Sequence, residues 1–169
     1  VDDLIVDPRS PAPALLHGRD ERERRLWHEG VARYRATLEA CDAVLAFGGG
    51  SSIDSAKVIA LAGANGCSAA DCIGANKCKL PALPLFAIPT TAGTGSEGTC
   101  IAVVSDNETH AKGGVIDNSI IPRAAALDPE VMRGLPAHIT AATGMDALTH
   151  AIESYIGSFG NADTDFYGL

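Results

Sequence analysis

The stretch Ala43-Val-Leu-Ala-Phe-Gly-Gly-Gly-Ser-Ser-Ile-Asp-Ser-Ala-Lys-Val-Ile-Ala-Leu-Ala-Gly63 decides how the rest of the chain is read. Residues 43–47 are a continuous apolar run, the pattern of a parallel strand covered on both faces. Gly48, Gly49 and Gly50 then permit a turn of unusual dihedrals with no side chain in the way of an approaching group. Ser51 and Asp54 form an S-x-x-D pattern, in which Ser51 caps a helix and Asp54 sits in its first turn. The helix carries Ile53, Ala56, Val58, Ile59, Ala60 and Leu61 on most of its sides, which predicts that it is largely buried. Strand, glycine turn and helix start aim free N–H groups and the positive dipole end at one spot, which suits a pyrophosphate. The usual G-x-G-x-x-G needs a glycine where Ile53 stands, and the Gly-Lys-Ser/Thr ending of a P-loop is absent. Taken alone, Gly48-Gly49-Gly50-Ser51 reads equally as a tight strand-to-helix turn.

A second unit repeats the logic. Residues 85–88 (Leu-Phe-Ala-Ile) read as another buried strand, running into Pro89-Thr90-Thr91-Ala92-Gly93-Thr94-Gly95-Ser96-Glu97. The hydroxyls of Thr90, Thr91, Thr94 and Ser96 can donate to phosphate or ribose oxygens. The loop follows a strand end, where open α/β sheets bind their ligands. One such loop by itself is more often a capped Ser/Thr turn. Two of them behind two strands shift the balance toward a ligand.

The totals bound the alternatives. At 169 residues the chain supports one core and about one domain. It is 46% hydrophobic and 20% charged, as soluble globular proteins are. No apolar run approaches the ~20 residues of a membrane span, and the N-terminus lacks a signal-peptide pattern. A cytoplasmic protein is expected. The net charge of −8 argues against nucleic-acid or anionic-membrane partners, which call for a basic surface. Five cysteines, an odd number, point to reduced thiols rather than a disulfide frame. Cys67, Cys72 and Cys78 lack the C-x2-C knuckle of structural zinc, so their spacing reads as loop thiols.

Outside the two units, residues 1–19 hold a short apolar piece (Leu4, Ile5, Val6) and Pro8, Pro11 and Pro13, which exclude a helix. Residues 20–40 read as a helix with Leu26, Val31, Tyr34 and Leu38 on one stripe. Residues 63–83 read as a long loop. Residues 100–105 and 111–117 flank a polar turn and predict a β-hairpin, followed by a short strand at 124–127 and a helical turn at 129–135. From Pro136 to about Ile156 the pattern is helical, with Ala141, Met145, Leu148, Ile152 and Tyr155 on one stripe. Asp146 and His150 lie one turn apart on another side, the spacing by which one helix gives a metal two ligands. From spacing alone, an exposed carboxylate–imidazole pair is the commoner case.

Three motifs thus stand in one order: residues 48–57 (Gly-Gly-Gly-Ser-Ser-Ile-Asp-Ser-Ala-Lys), residues 88–97 (Ile-Pro-Thr-Thr-Ala-Gly-Thr-Gly-Ser-Glu) and residues 144–153 (Gly-Met-Asp-Ala-Leu-Thr-His-Ala-Ile-Glu). The sequence resembles the iron-containing (group III) alcohol dehydrogenases over roughly residues 30 to 160. The resemblance implies an α/β fold: a dehydroquinate synthase-like, Rossmann-like NAD(P)-binding domain over residues 1–135, then the start of an all-helical metal domain over residues 136–169. It implies a cofactor, NAD or NADP, with its pyrophosphate on Gly49, Gly50 and Ser51, and Asp54 nearby. Thr90, Thr91, Thr94 and Ser96 would follow the nicotinamide half and pyrophosphate, and Lys112 would reach a ribose. Asp146 and His150 match two of four ligands of a divalent metal, Fe²⁺ first and Zn²⁺ second. The family's other two ligands are histidines further downstream, and His17, His28, His110 and His138 do not match them. The family's first strand–helix unit is not recognisable in residues 1–18. The implied reaction is hydride transfer between a small alcohol or aldehyde and NAD(P) in a homo-oligomer. Other readings are a catalytically incomplete nucleotide-binding fragment or assembly subunit, and a relative of glycerol dehydrogenase or dehydroquinate synthase. No side chain is assigned as general base.

Overall fold

The computed structural model describes residues 3–5, 41–105 and 112–168. The helix expected over residues 20–40 lies outside the described residues, as do the turn of the hairpin and His17, His28 and His110.

The opening stretch folds as its pattern requires. Strand β2 (Val44–Gly48) leads through Gly49 into helix α1 (Gly50–Asn65). Strand β4 (Leu85–Pro89) lies parallel to β2 in the register Val44↔Leu85 to Gly48↔Pro89. Strand β7 (Ala124–Ala125) adds to β4 in parallel, and β1 (Asp3–Ile5) adds to β2 antiparallel, giving the order β1-β2-β4-β7. The short apolar piece at Leu4 and Ile5 is thus part of an edge strand, Asp3–Ile5. Along β2, buried residues alternate with partly exposed ones rather than being covered throughout. Among the described residues α1 is the helix packed on this sheet.

The expected hairpin is present as β5 (Ile101–Ser105) and β6 (Lys112–Ile116), paired antiparallel from Ile101↔Ile116 to Ser105↔Lys112. The loop read over residues 63–83 is more ordered than its sequence suggests. Helix α1 continues to Asn65, a 3₁₀ turn spans Ala70–Cys72, and β3 (Gly74–Ala75) joins β6 in parallel. A two-residue strand has no periodicity to read; its partner lies some forty residues away in sequence.

Helix α1 is the centre of the packing. Ile53, Ala56 and Ala60 meet Val44, Ala46, Leu85 and Ala87 of the first sheet. Val58, Leu61 and Ala62 meet Ala102 and Val115 of the second sheet, with Cys72 and Ile120. A helix held between two sheets must be apolar nearly all round, as its sequence is.

After a 3₁₀ turn at Pro129–Met132, helix α2 (Ala137–Ile156) starts at Pro136. Helix α3 (Ala162–Gly168) folds back on it: a Cβ placed on Gly168 would touch Ser154 Oγ and Ala151 O. Met145, Leu148, Ile152 and Tyr155 of the α2 stripe are each about half exposed or more.

Candidate functional site

The two glycine- and threonine-rich loops leave the same edge of the sheet. Gly48 and Pro89 are paired at the carboxyl ends of β2 and β4, and Thr90 N donates to Gly48 O at 2.9 Å. Beyond that pair the loops touch. A Cβ on Gly50 would stand 2.8–3.0 Å from three side-chain atoms of Thr94, so glycine is what lets the second loop close on the start of α1. Such a contact lies well inside ordinary van der Waals separation.

The start of α1 differs from its expected capping. The N-cap is Gly49, in extended backbone at φ −76° and ψ −176°, and no side chain caps it. Ser51 is an exposed second residue of the helix, and the Gly50 and Ser51 amides precede the first intrahelical bonds, which Ser52 and Ile53 donate to Gly49 O. The Ser51 cap is therefore corrected: glycine reached the cap position first, because a helix can begin as soon as the backbone turns. The first turn of α1 is therefore left without a side-chain cap, the arrangement in which a helix start can receive an anion.

Asp54 turns away from that spot. Its Oδ1 accepts the Ser96 hydroxyl at 2.6 Å and its Oδ2 accepts Val103 N at 2.9 Å. One carboxylate thus ties α1 to the second loop and to β5. The Ser96 hydroxyl proton is committed to Asp54, and Ser96 N donates to Thr94 Oγ1 at 3.4 Å. Thr91 Oγ1 is buried without a protein partner among the described residues, as is Glu97 Oε2. A buried hydroxyl left unpaired is costly, so Thr91 has a donor and acceptor in hand for a ligand.

Lys57, which the apolar reading of α1 passed over, is fully buried. Its Nζ donates to Thr99 Oγ1 and to Ile101 O, both at 2.9 Å, and lies 3.8 Å from Asp54 Oδ1. Burial lowers its affinity for a proton, against the pull of Asp54, Cys100 and Glu97. The Asp54/Lys57 spacing of three residues on an otherwise apolar helix was the available signal.

The third motif docks on the second. Gly93 has φ +134°, and a Cβ there would run into the backbone carbonyl of Thr143 on α2. His150 Nδ1 lies 3.2 Å from Gly93 O; a carbonyl only accepts, so this contact places the imidazole proton on Nδ1. Nε2, on the other side of the ring, lies 3.8 Å from Asp146 Oδ1. A ligating histidine is commonly fixed in this way, giving its other N–H to a carbonyl while the free nitrogen and a carboxylate face the metal. Both side chains are about half exposed. Lys112 stands apart from this convergence in the description: exposed, at the hairpin end, opposite Ser105.

Three separate motifs therefore meet beyond the carboxyl ends of the parallel strands β2 and β4. The sequence model for iron-containing alcohol dehydrogenases matches residues 19–129. The chain belongs to the iron-containing alcohol dehydrogenase family. It is 48% identical over 142 residues to an NAD-dependent methanol dehydrogenase of Bacillus methanolicus, a match covering 84% of this chain and 37% of that protein. Against alcohol dehydrogenase 4 of Schizosaccharomyces pombe it is 50% identical over 127 residues, 75% of this chain and 30% of the relative. Among solved structures, a 1,3-propanediol oxidoreductase superposes with a TM-score of 0.77 at 36% identity, over 90% of this chain and 39% of the other. A sulfoacetaldehyde reductase from Bifidobacterium kashiwanohense in complex with NAD+ superposes with a TM-score of 0.66 at 39% identity, over 74% and 35%. The chain thus spans about a third of the length of these relatives. The α/β architecture implied by the resemblance is the one observed.

Proposed function

We propose that this chain carries the dinucleotide site, and one side of the metal site, of an NAD(P)-dependent oxidoreductase acting on a small alcohol or aldehyde. The observation that carries the reading is the closure of the Thr94 loop on Gly50 at a helix start with no side-chain cap, with Thr91 Oγ1 of the same loop buried and unpaired. The pyrophosphate would rest on the amides of Gly49, Gly50 and Ser51, with Thr90, Thr91 and Thr94 along its flank. Asp54 and Ser96 serve that site as a tether between its two loops, given where their polar atoms point. Lys112 is the candidate for the ribose, on the resemblance alone.

Asp146 and His150 fit a divalent metal. The residues sit one helical turn apart, and the Gly93 carbonyl orients the imidazole so that Nε2 and the carboxylate are the free donors. Mixed carboxylate–imidazole donors suit Fe²⁺ or Zn²⁺. When bound, the nicotinamide carries the hydride and the metal supplies Lewis acidity. The chain's own contribution is positioning: the Gly93 loop that borders the dinucleotide site also carries the metal helix, so the two groups are held by one short segment. A cytoplasmic homo-oligomer completes the proposal, supported by the exposed apolar row of α2 as a face for a second copy. Among the described residues no helix is long and apolar enough to cross a membrane. Sedimentation of the chain tests the second copy; a monomer at all concentrations would exclude it.

The dinucleotide reading is tested by titrating the chain with NADH and with NADPH, followed by nicotinamide fluorescence, beside Gly50→Val. Binding by the parent chain and its loss in the variant is the expected result. Unchanged affinity in Gly50→Val, with the fold intact by circular dichroism, would remove the pyrophosphate from this turn.

A further inference from the structure

Far from the glycine turn, the structure gathers three thiols that the sequence scatters over a loop. Cys67 follows the C-terminal end of α1, Cys72 closes the 3₁₀ turn, and Cys78 follows β3. Cys67 Sγ and Cys72 Sγ are 3.6 Å apart, Cys72 Sγ and Cys78 Sγ are 3.4 Å apart, and all three sulfurs lie within 4.8 Å of one another. Cys72 is buried, and Cys67 and Cys78 are half-buried against the same core cluster. A disulfide would bring two sulfurs to about 2.05 Å. Three thiolates around one zinc at about 2.3 Å stand roughly 3.8 Å from each other. The thiols contact one another as protonated groups at 3.4 and 3.6 Å, and a shared cation fits the same cluster with shifts of a few tenths of an ångström between those two pairs.

We propose that Cys67, Cys72 and Cys78 form a three-thiolate site for a thiophilic divalent cation of the zinc class, with its fourth position left to water and separate from the Asp146/His150 pair.

The scaffold around the cluster is pinned on each side. Ser68 N and Oγ donate to Asp71 Oδ2 at 2.9 and 2.7 Å, fixing the turn from Cys67 to Cys72. Asn65 holds the far side: its Oδ1 accepts Lys79 N and Leu80 N at 3.0 and 2.8 Å, and its Nδ2 donates to Leu80 O at 2.8 Å. Asn76 N donates to Ile116 O at 2.8 Å, tying the approach to Cys78 onto the hairpin. The chain has therefore already spent its entropy in placing the sulfurs, as a preorganised site requires. The end of α1 nearest to them is the C-terminus, whose dipole favours a cation. The sixteen-residue helix separates them from the glycine turn by about 24 Å. Burial is the main cause that raises the proton affinity of Cys72 and of Cys78; the neighbouring thiols add to it at Cys72, while at Cys78 the hydrogen bond with Cys72 works against it. A cation has to displace those protons, so loading releases up to one proton per thiol and strengthens as pH rises. Raised thiol proton affinity also slows disulfide formation, which needs a thiolate to attack.

The test uses the whole chain, reduced, carrying Asp146→Ala and His150→Ala so that the other pair takes up no metal. Titration with Co²⁺ is expected to give one equivalent with near-ultraviolet thiolate-to-cobalt charge-transfer bands, and Zn²⁺ is expected to bleach them by displacement. Cys78→Ser, at the half-buried rim, should weaken Co²⁺ binding by about 10- to 100-fold or more, since even outer-shell changes cost that much. Cys72→Ser should abolish the bands, and Cys78→Ser keeps the test decisive if Cys72→Ser does not fold. Bands that are absent in the reduced chain, or unaltered by Cys78→Ser, would overturn the proposal. So would two of these thiols closing to a disulfide in air, with no Co²⁺ taken up after re-reduction.

Discussion

Removing the Asp54 carboxylate is the perturbation whose size the structure sets most closely. Asp54→Ala deletes the acceptor of the 2.6 Å bond from Ser96 and of the 2.9 Å bond from Val103 N, and the anion 3.8 Å from Lys57. Hydrogen bonds to a charged group contribute about 1.5–3 kcal/mol each; the first ends on buried Ser96 and the second on exposed Val103, so the first should count for more. Lys57 keeps its bonds to Thr99 and Ile101 but loses a neighbouring negative charge while fully buried. Breaking one side of a buried pair typically costs about 3–5 kcal/mol, and that is the loss expected here by urea unfolding. Against a total stability of about 5–15 kcal/mol for a domain, such a loss is readily measured. The double variant Asp54→Ala/Lys57→Met should recover part of it, because no unpaired charge then remains in the core. Asp54→Asn, which keeps an acceptor for Val103 N, should fall between. A loss under about 1 kcal/mol for Asp54→Ala would show that the tether does not hold the two loops together, and the reasoning fails there.

Three further outcomes follow from the same geometry. Gly93→Ala puts a Cβ at φ +134° into the Thr143 carbonyl, costing about 1–3 kcal/mol in backbone strain before the clash is counted, so α2 should undock. Faster hydrogen exchange across residues 137–156 would show it; exchange like that of the parent chain would refute it. Cys72 has its thiol proton affinity raised by burial, so its contribution to stability is fully present below pH 9 and is lost above it, where the unfolded thiol ionises first. The parent chain should then lose stability relative to Cys72→Ala by up to about 1.4 kcal/mol per pH unit above that point, and a pH-independent difference would contradict the assignment. Finally, His150→Ala should weaken Fe²⁺ or Zn²⁺ binding at the α2 pair far more than His138→Ala, as measured by calorimetry on a chain whose Cys67, Cys72 and Cys78 are replaced by serine.

The sequence made the local elements legible wherever one short period carried them. The apolar runs before Gly48 and Pro89, the hairpin around its polar turn and the helix opened by Pro136 all appear with nearly the boundaries their patterns imply. What it hid was either non-local or counter to type. Ser51 had the right chemistry for a cap, but Gly49 occupies the position because three glycines let the backbone enter the helix earlier. Lys57 looks like a surface residue in any helix, and only the two sheets around α1 make it a buried donor. Strand β3 exists through pairing with β6 and has too few residues to show alternation. The three cysteines are spaced unlike any zinc knuckle, yet the turn at Ser68 and the Asn65 clamp bring their sulfurs together. The candidate site itself was read motif by motif, while its closure depended on contacts no spacing reports, those of Gly50 with Thr94 and of His150 with Gly93.

The central claim is that two loops at one sheet edge close on a dinucleotide. Peptide-resolved hydrogen exchange of the chain, with and without saturating NAD(H), measures it most directly. The account predicts slowed exchange centred on residues 49–51 and 90–96, together with the part of α2 where Thr143 meets Gly93. Saturated binding with protection elsewhere and none over residues 49–51 would contradict it.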